Sequence, residues 1–246
     1  MSKFTSTLAA MVLMMVFAVS CTKSDGPNNG GNGGQNDTIV DTGGSLNGHD
    51  YVDLGLPSGT VWATCNVGAD TPEGYGDYFA WGETMPKELY DWKSYKYGNF
   101  VYERYELNKY CTDSCWGFHG FVDNLSLLEP IDDAATANWG AEWRTPTIED
   151  WEEMFQNTTY VWTTQNGVNG WRFTALNGNS IFLPTAGYWW DGVFNGVDLG
   201  IYWSVSLNTE YPNRAWGFHF NSDSCHLCGS SDRNRGQSVR AVRSTK

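Results

Sequence analysis

Three groups of residues have types and spacings that could do chemistry. Cys225, His226 and Cys228 lie within four positions, with His219 just upstream and Arg233 and Arg235 just downstream. Two thiols and an imidazole could ligate zinc, but one Cys-x-x-Cys without a second pair of ligands is half a site. A thioredoxin-like redox pair would open a helix after a strand, which this one does not, although Arg233 and Arg235 could supply the electropositive setting that activates a thiol. The second group is acidic, around Glu149 and Asp150. These follow Thr147 and precede Trp151 and Met154, so they are explained as a helix start and its solvated face. Adjacent helix positions do not converge on one point as paired catalytic carboxylates must. The third group is the run Ser222–Arg235, small and polar, which has almost nothing to bury. Display for binding is its simplest use, and no catalytic residue, metal or cofactor is expected.

That run must be held by neighbouring elements. Tyr202-Trp203-Ser204-Val205-Ser206 and Gly236-Gln237-Ser238-Val239-Arg240-Ala241-Val242-Arg243 read as strands with apolar members at period two. Between them Trp216, Phe218 and Phe220 alternate with Gly217, His219 and Asn221, giving one strand face to a core and one to solvent. The expected contact set is Asn213, Arg214, Gly217, His219, Ser224, His226, Cys228, Gly229, Ser230, Ser231, Asp232, Asn234 and Arg235. Trp203, Trp216, Phe218 and Phe220 are expected to be scaffold.

Upstream, His49–Cys65 reads as two short strands about a Pro57-Ser58-Gly59 turn. Helices are predicted in Pro130–Asn138 and from Thr147, and Asn177-Gly178 marks a hairpin between Trp171–Ala175 and Ser180–Leu183. Pro184–Trp190 follows as loop or edge. Lys87–Leu128 has many aromatics without a sustained period and reads as an insertion rich in loops.

The N-terminus carries Lys3, an apolar run from Leu8 to Val19, then Ser20-Cys21. The run is short for a membrane span and lacks a stop-transfer pattern, so residues 1–20 are expected to be a secretory signal. Small residues before a cysteine resemble a bacterial lipoprotein cleavage site, which would make Cys21 the lipidated anchor. Residues 21–48, rich in Gly and Asn, then form a flexible tether with a reach of roughly 30 Å. The expected location is the outer membrane, facing the cell surface or the periplasm. Residues 49–246 suit one domain. A net charge of −13 argues against nucleic acid or anionic lipid as partner, leaving an unknown protein or glycan. Once Cys21 is spent, Cys65, Cys111, Cys115, Cys225 and Cys228 are an odd set in an oxidising compartment. Pairings of Cys111 with Cys115, Cys225 with Cys228, or Cys65 with Cys111 all remain open.

Several motifs together carry a resemblance. Asp50-Tyr51-Val52-Asp53-Leu54-Gly55-Leu56-Pro57-Ser58-Gly59-Thr60-Val61-Trp62-Ala63, Trp81-Gly82-Glu83-Thr84, Asp133-Ala134-Ala135, Trp143-Arg144-Thr145-Pro146-Thr147 and Gly236-Gln237-Ser238-Val239-Arg240 resemble the major paralogous domain family abundant in Bacteroidetes and Fibrobacter lipoproteins. That family resembles the C-type lectin fold. The resemblance implies an α+β architecture, two helices on a small twisted antiparallel sheet with long loops. It also implies that ligand contacts come late in the domain, within 203–240. The calcium-binding triplets of lectins are not matched, since Tyr202-Trp203-Ser204 and Tyr211-Pro212-Asn213 stand in their places.

The C-terminus further resembles the variable proteins of diversity-generating retroelements, in which randomised Asn codons cannot yield Lys, Glu, Gln, Met or Trp. Gly217–Arg235 contains none of these five. Arg144-Thr145-Pro146-Thr147 with Trp151 is also similar to a segment of formylglycine-generating enzymes, whose cysteines sit further upstream than Cys225 and Cys228, amid a basic, aromatic run that is not matched here. The function expected is a lipid-anchored, non-enzymatic receptor or adhesin. The alternative is a structural subunit of a fimbria or surface assembly, and a cysteine-dependent oxidase ranks below both.

Overall fold

The chain folds as short antiparallel strands joined by tight turns, with two helices, and is broadly α+β. The computed structural model describes residues 43–101 and 104–244, all within one compact unit. Cys21, the leader and the tether as far as residue 42 lie outside the described residues.

β1 (Gly43–Leu46) and β2 (His49–Val52) form a hairpin closed by Asn47 and Gly48, with φ of 53° and 83°. An Asn-Gly pair in that conformation gives the turn whose twist matches its flanking strands. Gly43–Leu46, expected within the tether, is thus a strand paired with β2. β3 (Thr60–Ala63) joins β2 after the Pro57–Gly59 turn. The insertion contains one hairpin, β4 (Gly98–Val101) with β5 (Arg104–Leu107), among turns. It is fixed by Asp132, 1 % exposed, whose carboxylate accepts from Tyr97, from Tyr110 at 2.7 Å, and from Lys96 and Lys109 at 3.0 and 2.6 Å.

α1 (Ala134–Trp139) is capped by Asp133, which also accepts from the amide and hydroxyl of Thr145 and so ties the helix to the Trp143–Thr147 segment. α2 (Ile148–Asn157) begins with the capping box of Thr147 and Asp150. Asp150 also takes both arms of Arg144, which leaves it no freedom for catalysis. β6 (Thr158–Gln165), β7 (Val168–Ala175) and β8 (Ser180–Pro184) form a meander, its first turn another Asn-Gly pair, Asn166-Gly167, and its second the predicted one at Asn177-Gly178. β9 (Tyr188–Trp190) and β10 (Val193–Asn195) close on Asp191-Gly192 in the same way.

β11 (Gly200–Leu207), β12 (Arg214–Phe220) and β13 (Cys225–Asp232) make a three-stranded antiparallel sheet, and β14 (Val242–Ser244) returns to pair with β3. Only this last part of the predicted 236–243 strand is regular. Before it, Gln237 and Ser238 make single bridges to Phe79 and Tyr202.

The core has two parts, and the β11–β13 sheet feeds both. Trp203, Leu207 and Ala215 pack with Trp81, Tyr95, Trp143 and Val239, while Tyr202, Phe218 and Phe220 pack with Trp62, Trp151, Phe173 and Leu183. Trp151 of α2 stacks on Phe218 at 5.1 Å. Trp216, expected as scaffold, is only half-buried, and its neighbour Ala215 is fully buried instead. The pairing with β11 is irregular at this point, with Ser204–Ser206 bulging where it steps from Gly217 to Ala215.

Candidate ligand-binding surface

Ser222–Arg235 is less of a loop than its composition predicts. Asn221–Ser224 is a bend organised by the Asn221 side chain, which accepts from the amides of Asp223 and Ser224 at 2.8 Å each, and Arg233–Asn234 is a turn closed by the Arg235 amide on the Asp232 carbonyl at 3.1 Å. The rest is mainly β13, in register with β12, so that Arg214 faces Asp232, Gly217 faces Gly229 and His219 faces His226.

This register sorts the expected contact residues. His226, Cys228 and Ser224 are exposed, and Asn213, Arg214, His219, Gly229, Ser230, Asp232 and Arg235 are partly so. Gly217, Ser231 and Asn234 are buried, so they cannot touch a ligand directly. Gly217 is not on a solvent phase at all, since a Cβ there would lie 2.2 Å from the Tyr202 carbonyl oxygen. Asn234 is turned inward, its amide reaching the Tyr90 carbonyl at 3.4 Å. Gly229 has a different role. A Cβ on it would come within 2.2 Å of the His219 ring, so this glycine and Gly217 form the seat across which that imidazole lies, with Nε2 3.5 Å from the Ser231 hydroxyl. Burial, then the charges of His226, Arg235 and Arg214, push the His219 pKa down to about 4.

Two aromatic residues join this group that were not singled out in the sequence. The Arg235 guanidinium lies across Tyr188 and Trp190 of β9, 5.1 and 5.2 Å from their ring centres. Gly236 bridges to Trp189, which brings β9 beside the Arg235 segment. Period-two spacing of Tyr188 and Trp190 hinted at a shared strand face, but no sequence signal says which distant residue it meets. Asp232 connects the two surface arginines, 3.1 Å from Arg235 Nη2 and 3.8 Å from Arg214 Nε. Arg214 also donates to the Ser230 carbonyl at 2.8 Å.

Arg233 differs from both. It is 0 % exposed and lies over Trp81, Tyr95 and Tyr110, donating to the Tyr95 hydroxyl and to the carbonyls of Tyr110, Pro212 and Lys109 at 2.8–3.1 Å. It bolts the end of β13 to the insertion, and it cannot activate a thiol at the surface. Burial pushes the thiols of Cys225 and Cys228 up, with Glu152 and Glu149 adding to the effect at Cys228, so both stay protonated at neutral pH. All five cysteines among the described residues are free, and none of the three possible pairings is made. No group of three or more His, Cys, Asp or Glu among the described residues is placed to hold a metal.

Asn213 lies apart from the His219 group. It borders a cleft of about 260 Å³ walled by Trp92, Tyr105 and Trp116, and its buried Oδ1 has no partner.

No family model matches the chain, and no curated protein or solved structure matches it either.

Proposed function

We propose that this chain is a non-enzymatic ligand-binding receptor or adhesin of the cell envelope, a C-type lectin-like domain held to the outer membrane by a lipid on Cys21. The observation that carries the reading is the surface formed by Arg214, His219, His226 and Arg235 with Tyr188 and Trp190. It combines rigid aromatic rings with adaptable hydrogen-bonding groups, the mixture that binding loops favour, and it sits on a sheet whose inner strand β11 is buried. Burial keeps the Cys225 and Cys228 thiols protonated, and the Asp150 carboxylate is taken up by Arg144 and the helix cap. Diversification by a retroelement belongs to the same proposal, because the exposed side chains of Ser224–Arg235 have the residue types that such variation allows.

The test is a screen of the protein against glycans and proteins, repeated with His219, His226 and Arg235 replaced together by Ala. Ligand binding is expected to be abolished while the melting temperature changes little. A large loss of stability would assign these residues to packing and sink the reading.

A structural subunit is the second reading, favoured by one feature. An open cleft of about 480 Å³, bordered by Leu127, Leu128, Trp143 and Val205, lies near exposed Leu127 (53 %) and Ile131 (77 %). Concentration-dependent self-association lost in Leu127→Asp would favour that reading.

A further inference from the structure

We infer that the ligand of the Arg235 surface carries an oxyanion, a carboxylate, sulfate or phosphate, bound edge-on by the Arg235 guanidinium with Arg214 as second donor. The inference rests on the receptor reading above and specifies the chemistry of what is received.

Four observations converge. The chain as a whole carries a net charge of −13, yet at this surface two arginines, Arg214 and Arg235, meet around one carboxylate, that of Asp232. The local potential is thus opposite to the overall one, and charge complementarity selects an anionic partner at this place. Second, the guanidinium of Arg235 lies over the rings of Tyr188 and Trp190, 5.1 and 5.2 Å from their centres. Contact with two rings restricts the side chain in advance, so less freedom is lost when an oxyanion meets its donors.

Third, Asp232 already shows what the two arginines accept. Its carboxylate sits between them, at 3.1 Å from Arg235 Nη2 and 3.8 Å from Arg214 Nε. Two guanidinium groups facing one carboxylate leave an excess positive charge. Fourth, the surface is open, since Trp190 is 46 % exposed and His226 on β13 is exposed. Besides Asp232, the acidic groups Glu149 and Glu152 of α2 act on this hairpin at Cys228.

The test uses the full-length protein in detergent and isothermal calorimetry with paired probes. D-glucuronate is compared with glucose, chondroitin sulfate with dextran, and inorganic sulfate and phosphate are titrated alone. At least one anionic probe is expected to bind while its neutral counterpart does not, and added salt weakens that binding. Arg235→Gln is expected to lower the affinity about tenfold or more, with Arg235→Lys restoring little because an ammonium lacks the planar fork. Asp232→Asn is expected to tighten binding, since it removes the carboxylate that competes for both arginines. That increase is one a merely structural role for Asp232 would not produce.

Binding of the free anions assigns the site to small molecules, and binding of chondroitin sulfate alone assigns it to the same group on a polymer. The inference is overturned if no anionic probe binds, if neutral probes bind as well, or if Arg235→Gln leaves affinity unchanged. A neutral ligand that is nevertheless lost in the triple Ala variant would overturn it while leaving the receptor reading intact. Loss of both requires that the wider screen also find nothing.

Discussion

His219 and Asp132 set the acid behaviour of this domain through opposite local circumstances. The imidazole of His219 is disfavoured as a cation by burial and by the cations around it, which places its pKa near 4 in the folded state. An unfolded chain would protonate it near 6.5. A depressed folded value means that stability is fully present above about pH 6.5 and is lost as pH falls toward about 4. At full expression that loss is on the order of 3 kcal/mol. Urea unfolding followed across this interval should show the decline, and His219→Asn should flatten it. Burial alone would raise the carboxyl of Asp132, but hydrogen bonds from Lys109, Tyr97, Tyr110 and Lys96 outweigh it and hold the group below the usual carboxylate range. Its contribution is present above about pH 4 and disappears below it. Asp132→Ala leaves Lys96 and two phenols without this acceptor and Lys109 with Glu129 alone, and a loss of about 3 kcal/mol is expected in equilibrium unfolding at neutral pH. Equal stability of variant and wild type would show that water satisfies those donors.

At the scale of the element, the β12–β13 hairpin depends on two glycines that face each other for different reasons. A Cβ at Gly217 would strike the backbone carbonyl of Tyr202, which cannot move without disturbing β11, whereas a Cβ at Gly229 would strike only the His219 ring. Gly217→Ala should therefore cost about 1–3 kcal/mol in chemical denaturation. Gly229→Ala should leave stability closer to wild type but displace the imidazole, seen as a shift of the His219 ring resonances and a loss of ligand binding. Finding the two variants equally destabilised would mean that His219 is as rigid as the backbone beneath it. The hairpin also shows how element and sequence can disagree. The composition of Ser222–Arg235 predicts a loop, but pairing with β12 makes most of it strand, because backbone hydrogen bonds to a buried neighbour do not require apolar side chains.

For the whole molecule, the proposal of diversification becomes more specific once burial is known. Arg233 holds the end of β13 against the insertion, Asn234 is turned inward, and Phe218 and Phe220 are core. Sequencing of the codons for Tyr202–Arg243 across many cells should therefore find changes at Ser224, His226, Cys228, Ser230 and Arg235. Gly217, Phe218, Phe220, Arg233 and Asn234 should stay constant, as should Asp50–Ala63. Changes spread evenly over buried and exposed positions would contradict a selected binding surface, and a uniform segment would leave a fixed receptor.

Local chemistry decided a good part of this protein from sequence alone. The capping box at Thr147 and Asp150, the Asp133 cap, the Asn177-Gly178 hairpin and the strand alternation at Phe218 and Phe220 all depend on neighbours within a few residues, so they were legible. The Asn47-Gly48 and Asn166-Gly167 turns are equally local, and the first of them joins Gly43–Leu46 to β2. Only the tertiary structure decided which expected contact residues face solvent. Burial of Asn234 and Arg233, the seat of His219 on two glycines, and the placing of Arg235 across Tyr188 and Trp190 all arise from segments far apart in the chain. Hydrogen-bonding capacity is written in residue type, but the partner that satisfies it is chosen by packing.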